Sequence, residues 1–204
     1  MTANVYKAKV LSRSMKKDRL DVTYPVIEGL DDLRVQNYIN SVLLSITNQL
    51  IKELGYYENP DMEITGKYYV RTNDRGLLSI SIEMYGFGGG AHGFTILKSV
   101  TFDLKTGKIY SLRDFFAKDI DYVKFITEIV KKQIVEKEIP VIVDFTSIDP
   151  DQDYYIENNN LVVYFQLYEL APYAWGFPTF EIPMRQVCKM MGPAGPRKYC
   201  SLYT

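Results

Sequence analysis

Leu77-Leu78-Ser79-Ile80-Ser81-Ile82-Glu83-Met84-Tyr85-Gly86-Phe87-Gly88-Gly89-Gly90-Ala91-His92-Gly93-Phe94 is the stretch whose period decides the fold. Leu78, Ile80, Ile82 and Met84 fall on one side of a two-residue repeat, with Ser79, Ser81, Glu83 and Tyr85 on the other. A strand alternating in this way has a core face and a wet face, the pattern of antiparallel sheets. Upstream, Asn73, Asp74, Arg75 and Gly76 form a turn set that pairs 63–72 with 77–85 as a hairpin. Downstream, the glycine run leads into another strand over 94–104, turned back at Lys105-Thr106-Gly107-Lys108 into Ile109 and Tyr110.

Further out, 4–17 and 19–24 read as two strands, the second closed by Pro25, which has no N–H to give to a ladder. The period then changes. Over 31–54, Val35, Ile39, Val42, Leu43, Ile46, Leu50 and Leu54 recur at three- and four-residue steps, with Gln36, Asn37, Asn40, Asn48 and Lys52 opposite. This is an amphipathic helix, started by Asp31 or Asp32 and stopped by Gly55. In the second half, 111–116 reads as a short turn that sends Leu112, Phe115 and Phe116 into the core. A second helix follows over 119–137, striped by Ile120, Val123, Ile126, Val130 and Ile134 and barred from continuing by Pro140. The last strands are 154–157, 161–168 and 179–182, the first two joined at Asn158-Asn159-Asn160. In 161–168, Leu161, Val163, Phe165 and Leu167 face the core, and Tyr164, Gln166 and Tyr168 face away. After Val187 the chain has no periodicity.

The resulting order is β-β-α-β-β-β, then α-β-β-β. It specifies an α+β class built from two small strand-and-helix units with mostly antiparallel sheets. The expected division is 1–98, 99–187 and a tail at 188–204.

Composition narrows the function classes. With 204 residues, 47% of them hydrophobic, the chain can fill one ample core or two small ones. Lys and Arg total 24 against 25 for Asp and Glu, so there is no basic excess for a nucleic-acid backbone or an anionic membrane. No apolar run is long enough to span a bilayer, so no membrane insertion is expected. Residues 1–17 alternate apolar and basic side chains and lack the apolar core of a secretion signal. Cys188 and Cys200 are too few for a disulfide framework and lack metal-site spacing. Pairing in an oxidising compartment and free thiols in a tail both remain open.

No catalytic centre is legible. The single histidine, His92, rules out a three-histidine or two-histidine zinc site within one chain, and no metal or cofactor is expected. A Walker loop needs Lys and then Ser or Thr after its last glycine, whereas Phe94 follows Gly93. The glycines, Gly90 among them, instead suit positive φ angles or close backbone approach, and His92 a hydrogen bond within the turn. Glu83, Asp103, Asp114 and Glu169 lie near strand ends or loops, where two carboxylates about 5–10 Å apart could hydrolyse a glycoside. Surface charge or turn capping is the alternative for each. The best binding candidate is the loop after the last long strand. There Tyr168, Tyr173, Trp175 and Phe177 alternate with Ala171, Pro172, Ala174, Gly176 and Pro178, a composition that fixes rings at low entropic cost. Such rings could stack on a sugar or anchor a protein, or else close the core, as is expected of Phe177 more than of Trp175.

Several motifs resemble a known pair of domains. Tyr24-Pro25, the helix with Gln36 and Ile39-Asn40, and Gly89-Gly90-Ala91-His92-Gly93 resemble the N-terminal non-catalytic domain of PdaC-type peptidoglycan deacetylases. Phe102-Asp103-Leu104, Thr106-Gly107-Lys108, Leu112-Arg113-Asp114-Phe115-Phe116 and the run from Tyr164 to Gly176 are similar to the adjoining domain of unknown function. Together they resemble the extracytoplasmic half of RsiV-type anti-sigma factors, over about residues 5–187. The resemblance implies an extracytoplasmic binding or sensing module of the bacterial envelope, with lysozyme as the partner sensed in RsiV. It also implies that the C-terminal unit is similar in fold to a small subdomain of the Hsp70 nucleotide-binding region, without a nucleotide. Neither sigma binding nor deacetylation carries over, since the segments that perform them have no counterpart in this sequence.

The expectation is therefore a non-enzymatic module with Tyr168, Tyr173, Trp175, Phe177, Gly90 and His92 at its binding surface. Its expected partner is a peptidoglycan fragment or a lysozyme-like protein. It would act outside the membrane if a leader has been removed, and in the cytoplasm otherwise. A carboxylate-dependent hydrolase of envelope polysaccharide and a structural accessory domain are the alternatives.

Overall fold

Residues 6–201 are described in a computed structural model, in which the chain divides after Lys108 into two units. The first holds β1 (Lys9–Lys17), β2 (Leu20–Glu28), α1 (Leu33–Glu53), β3 (Glu63–Asp74), β4 (Leu77–Phe87) and β5 (Phe94–Asp103). The boundary expected at residue 98 would cut β5, which pairs with β4 from Phe94 to Asp103, so the unit extends to Lys108. Of the strand expected over 4–17, the positions Asn4 and Val5 lie outside the described residues.

The five strands form one sheet in the order β1-β2-β3-β4-β5. Every pairing is antiparallel except β2 with β3, which run parallel over 20–22 and 64–66. The hairpin turn between β3 and β4 falls at Arg75 and Gly76, both with positive φ, the two-residue geometry that matches strand twist. Ile39, Leu43, Leu50 and Ile51 of α1 share a core with Val22, Ile64, Ile80, Ile82, Met84 and Phe102 of the sheet. Asp32 caps α1 by accepting the Arg34 N–H at 2.8 Å, and Gly55 follows the helix with φ +82°. The Arg34 side chain, bonded to Asp32, holds that carboxyl down at a pKa of about 2. The second face of β4 is not uniformly wet as expected. Ser79 and Ser81 are fully buried and hydrogen-bond to Thr101 and Ser99, whereas Glu83 and Tyr85 reach solvent.

Pro25 does not close β2; it pairs with Ser12 in mid-strand. The reason lies two residues on. Ile27 gives its N–H to Asn40 Oδ1 at 2.7 Å and its carbonyl accepts from Asn40 Nδ2 at 2.9 Å, so these groups point away from β1 toward α1. Residues two apart in a strand point their amides the same way. The N–H that proline lacks would therefore face the side without a ladder, where it is not missed.

The second unit holds α2 (Tyr122–Glu136), β6 (Tyr154–Glu157), β7 (Asn160–Tyr164), β8 (Thr179–Pro183), α3 (Met184–Lys189) and α4 (Arg197–Cys200). Its sheet, β6-β7-β8, is antiparallel throughout. Asn158 and Asn159, both at positive φ, make the turn from β6 to β7. Gln133 on α2 repeats the device of Asn40: Nε2 donates to the Glu181 carbonyl at 2.8 Å and Oε1 accepts the Glu181 N–H at 3.3 Å. In each unit a helix amide thus stands in for a neighbouring strand and shields an open edge. The region after Val187 is not a featureless tail. Val187 is buried in α3, Tyr199 and Cys200 are buried in α4, and a Cys188–Cys200 disulfide joins the two helices.

Candidate functional site

In the second unit, β7 ends at Tyr164, four residues sooner than the alternation suggests, and Tyr164 is itself fully buried. The chain leaves the sheet because Phe165 gives its N–H to the Pro178 carbonyl at 3.1 Å, closing the base of the loop that carries the aromatic residues. Glu169 then folds the chain back. Its N–H donates to the Gln166 carbonyl at 3.1 Å, and its Oε2 accepts the Gln166 N–H at 2.6 Å. Gln166 Nε2 donates to Asp153 at 2.9 Å, holding the fold-back against the body of the unit. Tyr168 sits at its tip with φ +65°, a conformation that a bulky residue adopts only when its surroundings impose it. A short 3-10 turn, Tyr173–Trp175, brings the chain back, and Gly176 at φ +78° and ψ −150° lets it leave in a region open to glycine alone.

The rings lie where this scaffold puts them. Tyr168 and Tyr173 approach to 5.6 Å between centroids at 35°. Tyr168 is 46% and Trp175 44% exposed, while Phe177 is half-buried. A neighbouring stretch adds apolar surface that sequence reasoning missed: Val141, Ile142 and Val143 are 44–49% exposed. The Ile142 N–H donates to the Leu170 carbonyl at 3.0 Å, which ties that segment to the loop. The available signal was a β-branched run after Pro140 assigned to no strand.

Gly90 and His92 belong to the first unit. Gly90 has φ +104° with open space where a side chain would be. His92 is exposed, and its Nδ1 lies 2.8 Å from the Gly93 carbonyl, which can only accept, so the ring nitrogen donates. The carboxylates weighed for hydrolysis have local bonds. Glu83 pairs with Lys67 at 2.9 Å, and Asp103 accepts the N–H groups of Lys105 and Thr106. Asp114 accepts the Ser111 N–H at 2.8 Å, and Glu169 holds Gln166 as above. Among the described residues, no group of three or more His, Cys, Asp or Glu side chains is placed to hold a metal, and no helix is long and apolar enough to cross a membrane.

Comparison with known proteins agrees with this architecture. Residues 13–95 match a family model described as deacetylase PdaC, and residues 113–185 match one described as a protein of unknown function, DUF3298. The chain is 30% identical over 190 residues to the anti-sigma-V factor RsiV of Bacillus subtilis (strain 168). That alignment covers 84% of this chain and 65% of RsiV, so the chain spans a little under two thirds of its relative. A DUF3298-family structure from Bacteroides fragilis has a TM-score of 0.66 at 16% identity, covering 97% of both chains. Another, from Pseudomonas aeruginosa, has a TM-score of 0.62 at 17% identity, covering 93% of this chain and 94% of its own. At such identities the likeness is one of fold.

Proposed function

For a chain that carries a PdaC-type segment followed by a DUF3298 segment, as RsiV does, we propose a non-enzymatic role as an extracytoplasmic binding or sensing module of the bacterial cell envelope. Its partner is a wall-active protein such as a lysozyme, or a cell-wall glycan. The observation that carries this reading is the loop closed between Phe165 and Pro178, which keeps Tyr168 and Trp175 in water on a backbone fixed by its own hydrogen bonds. Rings held this way lose little entropy on binding, and aromatic anchors of this kind dominate interface energetics. Val141, Ile142 and Val143 are exposed as well, on a segment tied to the loop by the Ile142–Leu170 backbone bond. A purely structural loop would have turned these side chains inward. The hydrolase alternative draws no support from Glu83, Asp103, Asp114 or Glu169, since each serves a local ion pair, turn or cap.

The test is capture of lysozyme and of soluble peptidoglycan fragments by the intact protein and by Trp175→Ala. The variant should bind its partner at least about ten-fold more weakly, the effect of a modest hot spot, with its unfolding temperature held within a few degrees. Parallel loss of folding and binding would show that Trp175 belongs to the core, and undiminished capture would remove the loop from the interface.

A further inference from the structure

The solvent-facing side of the first unit's sheet carries a hollow of about 330 Å³, lined by Thr65, Gly66, Lys67, Glu83, Tyr85 and Thr95. Strand register builds it. Thr65, Tyr85 and Thr95 stand in one row across β3, β4 and β5, and Lys67 and Glu83 stand in the next. The Tyr85 ring lines the hollow and lies against glycine backbone. A Cβ on Gly93 would lie 2.4 Å from Tyr85 Cζ and 2.5 Å from Cε2, so the bare glycine backbone supports the edge of Tyr85, which is nevertheless 37% exposed. This gives the end of the glycine run a purpose that the turn alone does not supply.

The polar groups around that ring are specific in kind. Lys67 Nζ meets Glu83 Oε1 at 2.9 Å, the Tyr69 hydroxyl donates to Glu83 Oε2 at 3.1 Å, and the Lys67 ammonium lies 5.4 Å from the Tyr69 ring centre. The ammonium is held charged well above the ordinary lysine range, by its bond to Tyr69 first and to Glu83 second. The two charges cancel, so the hollow favours neither an anion nor a cation, yet it offers charged donors and acceptors at fixed positions. The hydroxyls of Thr65, Tyr85 and Thr95 bond to no other described residue. An uncharged, many-hydroxylated ligand with one apolar face meets each of these features. Its C–H face covers the Tyr85 ring, and its hydroxyls bond the threonines and the ion pair, where charge-assisted bonds are the strong ones. The volume lies at the lower end of the range for small-ligand sites.

We propose that this hollow is a saccharide subsite, taking one uncharged sugar unit over Tyr85 between the Lys67–Glu83 pair and Thr95. It is carried by the first unit alone and does not depend on the aromatic loop of the second. The intact, isotope-labelled protein is titrated with N-acetylglucosamine, its trisaccharide, maltotriose and, separately, inorganic phosphate, while amide shifts are followed. The expected result is saturable movement confined to amides of 65–67, 83–86 and 93–95 with one of the neutral sugars, at dissociation constants near or below about 1 mM. Glu83→Gln, which keeps the shape but removes the charge, should weaken binding about ten-fold, as expected for a bond to a charged group. Thr95→Val should weaken it several-fold. Tyr85→Ala is the obvious variant and risks the fold, so the other two carry the test. The amides followed all lie in the first unit, whereas the capture assay with Trp175→Ala reads the loop of the second, so failure here and failure of the loop reading are distinguishable. No saturable shift with any neutral sugar, a stronger response to phosphate, or binding indifferent to Glu83→Gln and Thr95→Val would overturn the proposal.

Discussion

Gly93→Ala should destabilise the first unit more than any other alanine placed in the glycine run. The added Cβ would lie 2.4 Å from the Gly86 carbonyl oxygen as well as against the Tyr85 ring, whereas real contacts essentially never fall below 3.0 Å. About 0.6 Å of relief is needed, and the obstacle is poorly able to give it. Gly86 pairs with Ile64 on one side and Phe94 on the other, so its carbonyl is fixed in the middle of the sheet. Overpacking against rigid backbone falls at the upper end of its usual range, about 3 kcal/mol. For a cooperative unit of 108 residues this is a drop of roughly 13 °C in melting temperature, taking about 2.1 cal/mol/K per residue for the unfolding entropy. Gly90→Ala is the control. It meets nothing within 4 Å, and its cost comes from φ +104° alone, about 1–2 kcal/mol. Gly88→Ala meets only the ends of Asn59 and Met62, which can swing aside, and should cost least. Thermal unfolding of the three variants ranks them. A Gly93→Ala protein within about 0.5 kcal/mol of the parent, the scatter of neutral surface changes, would show that Tyr85 does not rest on the glycine backbone, and the ring of the saccharide subsite would lose its support.

Three other outcomes follow from the fold. Asn40→Leu strands the N–H and carbonyl of buried Ile27 and should cost about 2–3 kcal/mol in urea unfolding; a loss below about 0.5 kcal/mol would mean that water satisfies that edge. Replacing Cys188 and Cys200 by serine opens a closed loop with a sequence separation of 12 and should remove about 3 kcal/mol on the chain-entropy estimate; an unchanged denaturation midpoint with and without reductant would show that the terminal helices detach without consequence for the core. Asp32 has its pKa lowered to about 2 from 3.8, so its folded form holds the proton less tightly than the unfolded chain. Its stabilisation is complete above pH 4 and disappears as pH falls toward 2. The acid-unfolding curves of the parent and of Asp32→Asn should therefore converge over that window, and curves that stay parallel from pH 5 to 2 would deny Asp32 its capping role.

The order of elements was legible because period and punctuation agree along most of the chain. The spacing of Ile39, Leu43 and Leu50, four and then seven residues apart, with Asp32 before them admits only a helix, and all three side chains are buried in the core as that spacing requires. The alternation from Leu78 to Met84, bounded by Arg75-Gly76 and by the glycine run, likewise admits only a strand. What escaped depends on tertiary partners. Asn40 has the pattern of a solvated position, yet it closes the edge of β2, so a helix amide does the work of a strand and Pro25 becomes harmless. Nothing within Tyr24-Pro25 encodes that, because the compensating group is 15 residues away. The boundary between units was misplaced for a similar reason: a strand belongs to whichever sheet it pairs with, and β5 pairs with β4 to its last residue.

The aromatic loop shows where local rules fail with a purpose. Alternation runs on from Leu161 through Tyr168 without a break in composition, so periodicity alone carries the strand four residues too far. Three interactions stop it: the Phe165 bond to Pro178, the Glu169 side chain folding back on the Gln166 amide, and the Gln166 bond to Asp153. Their combined effect is to hold Tyr168 at positive φ with its ring in solvent beside Tyr173. A left-handed conformation costs a residue with a Cβ about 1–2 kcal/mol, and an exposed ring returns little of that to stability. A sequence under pressure for stability alone would place Gly or Asn there. Keeping tyrosine at the tip of a loop whose other positive-φ position, Gly176, is a glycine favours a role for the ring outside the fold, and that supports assigning Tyr168 to recognition rather than to packing.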